Sequence, residues 1–355
     1  MKHRKKRVAL LFGGRSAEHE ISLISAASIY KNLDKKKYRV ISIYINKKGE
    51  WKIVTSPLLS LKSLEQGHSF PFLPWASAGL AQTIQADIYF PVLHGPYGED
   101  GTIQGLLEMA DVPYVGAGVM ASAIGMDKAT MKTIFKEKNL SVVKHCVLLE
   151  SEWIKDRTTI LARIKKEFPP PFFIKPANLG SSVGITKVKE YSQTSAALGT
   201  AFSYDRKILV EEGIKGRELE CSVLGNDNPK ASLPGELIPF REFYDYQDKY
   251  VEGKTSFAIP AKLPSSIVKE IQRISIEAYK AIDCSGMARV DFFLEEGTDK
   301  IYLSEINTIP GFTEISMYPR LWEVSGLSFP CLIEELIELG FERHKEKKRC
   351  LESCL

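Results

Sequence analysis

The chain has 355 residues, 44% of them hydrophobic and 26% charged, which suits a globular protein of two or three domains and excludes a disordered or fibrous chain. Its formal charge of +4 gathers at the ends, with Lys2, Arg4, Lys5, Lys6 and Arg7 at one and Arg343, Lys345, Lys347, Lys348 and Arg349 at the other. Counting Glu346, the ends carry +9 and the remainder about −5, so the basic balance reads as solvated, fraying tails and gives little support to a nucleic-acid groove.

Residues 7–12 read as a buried strand, followed by Gly13-Gly14-Arg15-Ser16, a helix over 18–32 and a strand over 38–45. The apolar run at 8–12 is too short for a secretory core or a membrane span, which gives a cytoplasmic expectation. Residues 51–85 have poor periodicity and prolines at 57, 71 and 74, the mark of a surface excursion without firm elements. A strand over 87–93 ends in His94-Gly95-Pro96-Tyr97-Gly98, and a helix follows over 102–110. This alternation predicts a largely parallel sheet with both glycine-rich turns at its ligand-binding edge.

A charged amphipathic helix over 127–138 opens a second unit, with strands at 146–149, 172–175, 187–188, 207–212 and 218–224 and a helix over 153–166. The third unit begins near residue 230 with a polar aromatic loop, then a helix over 265–281, paired strands at 287–294 and 301–305, and a closing helix over 332–339. The units span 1–125, 126–229 and 230–355, and the fold class is α/β and α+β with an N-terminal parallel-sheet domain. Six cysteines lie scattered without a zinc-type pair, as buried thiols in a reducing compartment do.

Three segments carry chemistry. In the first, residues 175–184, a strand leads into Lys175, Gly180, Ser181, Ser182 and Gly184, which offers backbone amides, hydroxyls and an ammonium to phosphate oxygens. A hairpin turn with incidental serines explains the same residues. In the second, Glu211, Glu212, Ile214 and Glu218 follow on strands, where carboxylates suit an adenine or ribose and Ile214 a base; exposed glutamates are the plain alternative. In the third, period-two alternation puts Arg289 and Asp291 on one strand face and Glu305 and Asn307 on the matching face of its partner. Those hard oxygens suit magnesium, which relieves the repulsion of a close Asp–Glu pair; a solvated face with an Arg–Asp ion pair is the alternative.

These segments, together with residues 11–22, 94–101, 244–250 and 305–311, make the chain resemble the D-alanine:D-alanine ligases of the ATP-grasp group along nearly its whole length. The resemblance implies a two-part ATP-grasp fold after the first domain, ATP as co-substrate, and two magnesium ions, or manganese in their place. It implies ligation of two D-alanines through D-alanyl phosphate, giving ADP and phosphate and the dipeptide of the peptidoglycan precursor. No nucleic acid and no membrane insertion is expected, and a homodimer is.

By the same resemblance, Lys128, Lys175, Ser181 and Ser182 correspond to phosphate contacts, and Glu211, Glu212, Ile214 and Glu218 to the adenine and ribose pocket. Asp291, Glu305 and Asn307 correspond to metal ligands. Glu18 corresponds to the group holding the first D-alanine ammonium, linked with Ser181 and Tyr250. Lys249 and Ser316 match the binding of the second carboxylate, Arg289 and the Gly311 amide the oxyanion-stabilising group, and His94 a position near the substrates. Residues 244–250 correspond to a lid. D-alanyl-D-lactate or D-alanyl-D-serine ligation is the alternative activity, and a nucleotide-binding protein without turnover is the alternative class; the intact set Glu18, Arg289 and metal ligands speaks against the latter.

Overall fold

The computed structural model describes residues 4–69, 84–180, 182–238 and 256–352. The chain begins with β1 (Lys6–Gly13), α1 (His19–Asn32), β2 (Tyr38–Ile45), β3 (Trp51–Val54), α2 (Leu61–Glu65), β4 (His68–Ser69), β5 (Ile88–Val92) and α3 (Thr102–Met109). The sheet order is β4-β3-β2-β1-β5, with β1 parallel to β2 and β5, while β3 and β4 add antiparallel pairs. From Val8 to Phe12 strand β1 is apolar because both its faces are covered. Val8, Leu10 and Phe12 join one core with Ala26 and Ile29 of α1, whereas Ala9 and Leu11 join another with Ile103 and Leu107 of α3.

Part of the expected excursion at 51–85 is therefore regular. Its strand β3 escaped the sequence pattern because the alternation is inverted: Lys52 is buried and pairs with Glu65 at 3.0 Å, while Ile53 is exposed.

The middle of the chain holds α4 (Val119–Met126), α5 (Lys128–Glu137), β6 (His145–Leu149), α6 (Glu150–Lys155), α7 (Arg157–Glu167), β7 (Phe172–Pro176), β8 (Thr186–Val188), α8 (Thr194–Phe202) and β9 (Lys207–Glu212). Strands β6-β9-β7-β8 form an antiparallel sheet whose core contains Ile160 and Ile164 of α7 and Leu198 and Phe202 of α8. The single helix expected over 153–166 is broken at Asp156, whose carboxylate accepts the Thr159 N–H at 3.0 Å and starts α7 afresh.

The remainder is β10 (Gly216–Gly225), β11 (Lys230–Ala231), β12 (Gly235–Ile238), β13 (Ser256–Ala258), α9 (Ser265–Ala281), β14 (Gly286–Glu295), β15 (Ile301–Asn307), α10 (Met317–Val324) and α11 (Phe329–Glu352). Strand β10, expected within the middle unit, lies instead in this last sheet, of order β13-β12-β10-β14-β15. Its inward residues Leu219, Cys221 and Val223 share a core with Ile271, Ile274 and Ala278 of α9, which fixes its membership by packing. The opposite face of β10, β14 and β15 carries polar residues toward the cleft.

The closing helix is longer than the expected 332–339 and returns to the first sheet, where Leu332, Ile333, Leu336 and Ile337 cover Val8, Leu10 and Phe12. Several of the basic residues at the ends, expected to lie on fraying tails, are instead tied to the fold. Arg7 pairs with Asp87 at 2.9 Å, Lys6 with Glu338 at 2.6 Å, and Lys347 with Glu108. Arg343 lies over the Tyr114 ring and donates to the carbonyls of Gly116 and Tyr114 and to Ser285, joining α11 to both flanking units. Among the described residues no helix is long and apolar enough to cross a membrane.

Arg343→Ala leaves those carbonyls without their donor and is expected to lower unfolding free energy by about 1–3 kcal/mol in urea titration. Lys345→Ala, at an exposed position, is expected to shift it by less than about 0.5 kcal/mol. Equal effects of the two would contradict the anchoring role.

Candidate active site

The two glycine-rich turns meet beyond the carboxyl ends of β1 and β5, where Ser16 Oγ donates to the His94 carbonyl at 2.6 Å. Glu18 follows, buried at the start of α1. A Cβ at Gly95, whose φ of +75° already favours glycine, would stand 2.7 Å from Glu18 Oε2, and one at Gly180 would stand 3.1 Å from it. The carboxylate therefore lies where the first unit touches the loop after β7, and only glycines leave it room.

His94 is buried with Nε2 3.0 Å from Ser25 Oγ and Nδ1 3.1 Å from the Ile309 carbonyl and 3.4 Å from Glu99 Oε1. Burial alone would depress the imidazole; the hydrogen bond and charge of Glu99, with the charge of Glu18, outweigh it and raise His94 above its ordinary value. Burial and the Glu18 charge likewise raise Glu99.

Across the cleft, β7 and β9 pair Phe173 with Glu211, which puts Lys175 and Glu211 on one face. Lys175 Nζ donates to Glu211 Oε1 at 2.6 Å. Lys132 Nζ stands 3.1 Å from Glu211 Oε2, near enough to pair electrostatically but off the line of a hydrogen bond. Burial pushes the Glu211 carboxyl up, yet the two ammonium groups prevail and bring it down to about 2. At the start of α5, capped by Asp127, Lys128 donates to the Leu179 carbonyl at 2.7 Å and lies 3.5 Å from Glu305 Oε2.

The third wall is the polar face of β10, β14 and β15. Register sets Glu220 opposite Asp291 and Asp291 opposite Glu305, a row of three carboxylates over three adjacent strands. Arg289 answers with a two-pronged bond to Asp291, Nε to Oδ1 and Nη2 to Oδ2, both 2.7 Å, and lies 3.0 Å from Glu220 Oε2. Asn307 donates Nδ2 to Asp291 Oδ2 at 3.0 Å, which leaves its amide oxygen as an acceptor. Among the described residues no three acidic, histidine or cysteine side chains converge tightly enough to enclose a metal alone. The donor set of Asp291, Glu305 and the Asn307 oxygen nevertheless fits a hard cation that completes its shell with phosphate and water.

Of the residues singled out in the sequence, Lys128, Glu305 and Asn307 line one pocket with Glu99, Leu179 and Gly180; Glu18 adjoins it at Gly180, Arg289 and Asp291 through Asn307, and Lys175 and Glu211 through Lys132 and Ser304. His94 reaches it through Ile309. Gly311 and Ser316 adjoin, since a Cβ on the glycine would meet Ser316 Oγ at 2.8 Å; that hydroxyl lies 2.7 Å from Thr313 Oγ1. Ser182 sits in the turn after Gly180 with φ +59°, and Glu218 acts on Lys175 by charge. Ile214 is half-buried beyond β9. Glu212 departs from the expectation of a nucleotide-site side chain: next to Glu211 on the strand, it takes the opposite face, opposite Phe172, and its charge is felt by Lys300. Ser181, Lys249, Tyr250 and the lid expected at 244–250 lie outside the described residues. Sequence reasoning passed over Lys132 and Glu220, although each had a signal: Lys132 is one helical turn from Lys128, and Glu220 shares the strand face of Glu218.

Comparison with known proteins finds matches over both halves of the chain. The family model for the D-ala D-ala ligase N-terminus matches residues 7–117, and that for the D-ala D-ala ligase C-terminus matches residues 134–338. A D-alanine--D-alanine ligase of Solibacter usitatus is 49% identical, covering 97% of this chain and 98% of that protein, and one of a Thermoanaerobacter species is 50% identical, covering 97% and 99%. Among solved structures, the D-alanine-D-alanine ligase of Coxiella burnetii superposes with a TM-score of 0.87 at 40% identity, over 98% of this chain and 97% of that one. A D-Ala:D-Ser ligase of Enterococcus faecalis superposes at 0.82 and 35% identity, over 95% and 100%. With a lysine-lined pocket facing an arginine-braced acidic strand face, and with relatives matched end to end, the chain belongs to the D-alanine:D-alanine ligase family and carries its two-part ATP-grasp fold.

Proposed function

We propose that this chain joins two D-alanines into D-alanyl-D-alanine, converting ATP to ADP and phosphate, for the peptidoglycan precursor. The observation that carries the reading is the pocket lined by Lys128, Glu305 and Asn307, with Glu18 at its Gly180 wall and the Lys175–Glu211 and Arg289–Asp291 pairs adjoining. Full-length relatives that are 45–50% identical share the D-alanine--D-alanine ligase name, and this favours D-alanine over D-serine or D-lactate as second substrate.

A carboxylate is a poor electrophile because it has no competent leaving group, so the first D-alanine must be activated. Glu18 binds its ammonium, and its carboxylate oxygen attacks the γ-phosphorus of ATP while the bond to ADP breaks. Lys128 and Lys175 hold the phosphate oxygens, with Ser181 and Ser182 as further donors; Glu211 accepts from adenine, with Ile214 against the base and Glu218 at the ribose. Asp291, Glu305 and Asn307 would hold two magnesium ions, or manganese in their place, which when bound neutralise charge on the phosphoryl oxygens.

The neutral amine of the second D-alanine, whose carboxylate Lys249 and Ser316 receive, then attacks the acyl carbon. Arg289 spends Nε and Nη2 on Asp291, so Nη1 is left for the oxyanion beside the Gly311 amide. Phosphate departs with its bridging oxygen, the amine loses a proton, and the peptide bond remains. Tyr250 and the 244–250 lid exclude water, which would otherwise hydrolyse the acyl phosphate. A homodimer belongs to the same reading.

Incubation with ATP, magnesium and D-alanine is expected to release ADP in step with dipeptide; nucleotide binding without such release would overturn the enzymatic reading. In competition among D-alanine, D-serine and D-lactate near neutral pH, the dipeptide of D-alanine is expected to dominate. Arg289→Met is expected to lower kcat by about 10²–10³ as an oxyanion donor is lost, with ADP affinity changing far less. A matching loss of ADP affinity would instead make Arg289 a nucleotide-binding group.

A further inference from the structure

Lys132 has no role in the reaction just outlined, yet its side chain is only 2% exposed, and burying a lysine is costly unless the charge is used. One turn beyond Lys128 on α5, it donates to the Ser304 carbonyl at 3.0 Å and stands 3.1 Å from Glu211 Oε2. Both partners are distinctive. Ser304 is the residue skipped where the β14–β15 register shifts, since Asp291 faces Glu305 while Phe292 faces Leu303. The bulge lies immediately before Glu305. Glu211, for its part, already receives Lys175 on its other oxygen at 2.6 Å.

Two ammonium groups thus flank one buried carboxylate, while Glu218 and Glu305 act on those lysines by charge from outside the contact. Were Lys175 the sole partner of Glu211, turning it toward a phosphate would strand a buried anion. With Lys132 in place, Glu211 stays compensated. We propose that Lys132 is a positioning residue of the nucleotide site: the standing counter-ion of Glu211 that frees Lys175 for phosphate. The proposal rests on the assignment of Lys175 to the nucleotide phosphates.

The probe that isolates this role is inorganic tripolyphosphate with magnesium, which has no adenine and so does not read the contact of Glu211 with the base. Its affinity is measured by calorimetry for the parent, Lys132→Met, Glu211→Gln and the double variant. In the parent background Lys132→Met is expected to weaken binding about tenfold, because Lys175 remains locked to Glu211, whereas in the Glu211→Gln background the same substitution is expected to cost less than about twofold. An equal penalty in both backgrounds, or none in the parent, overturns the counter-ion role; a purely structural lysine would give such an uncoupled result. Should Lys132→Met fail to fold, Glu211→Gln against the double variant decides: equal affinities support the proposal, and a tenfold weaker double variant contradicts it. Absence of tripolyphosphate binding to the parent, or an unchanged affinity in Lys175→Met, would instead remove the phosphate assignment beneath it.

Discussion

Everything in the cleft depends on the rule that a charge taken out of water needs an opposite charge beside it. Removing one partner of a buried pair typically costs about 3–5 kcal/mol, more than most packing contacts supply. The carboxylate row Glu220, Asp291 and Glu305 is tolerable because Arg289 lies against two of its members and Lys128 against the third. Glu211 is tolerable because Lys175 and Lys132 flank it. Opposite charges therefore stand ready on facing walls, the arrangement that receives a polyanion with its cations. Binding exchanges partners within the site and does not create new buried charge.

Backbone geometry makes that exchange local. The β10–β14–β15 register aligns the carboxylates, the bulge at Ser304 resets the strand before Glu305, and the Asp127 cap begins α5 so that Lys128 and Lys132 share a face toward the cleft. The first unit is tied to this frame by side chains and by the last helix: His94 contacts the Ile309 carbonyl, and α11 seals the core of β1. Placement of Glu18 against Gly95 and Gly180 thus follows from packing far from the reacting atoms.

Much of the fold was legible in local pattern. The strand at 207–212 and the helix at 265–281 have the bounds expected of them because each shows one clear period and firm ends. Helix α4 did not show, since Val119–Met126 is apolar with little polar contrast, and α10 was hidden by Pro319. Strand β3 was obscured by a buried lysine, and β10 was assigned to its neighbour in sequence because sheet membership is a tertiary property. That Arg289, Asp291, Glu305 and Asn307 share one sheet face was legible by alternation alone. The bonds of Lys132 and Arg343 were not, because they join positions 79, 172, 227 and 229 residues apart, and no local pattern encodes such pairs.

The central claim is that the cleft brings a carboxylate to the γ-phosphate and then hands the acyl group to an amine. D-alanine labelled with oxygen-18 in its carboxyl group tests it most directly. Mass spectrometry of the phosphate released during turnover should find one labelled oxygen per molecule, carried over when the acyl–oxygen bond breaks. Phosphate free of label, formed at the same rate as dipeptide, would contradict an acyl phosphate and the account of the site built on it.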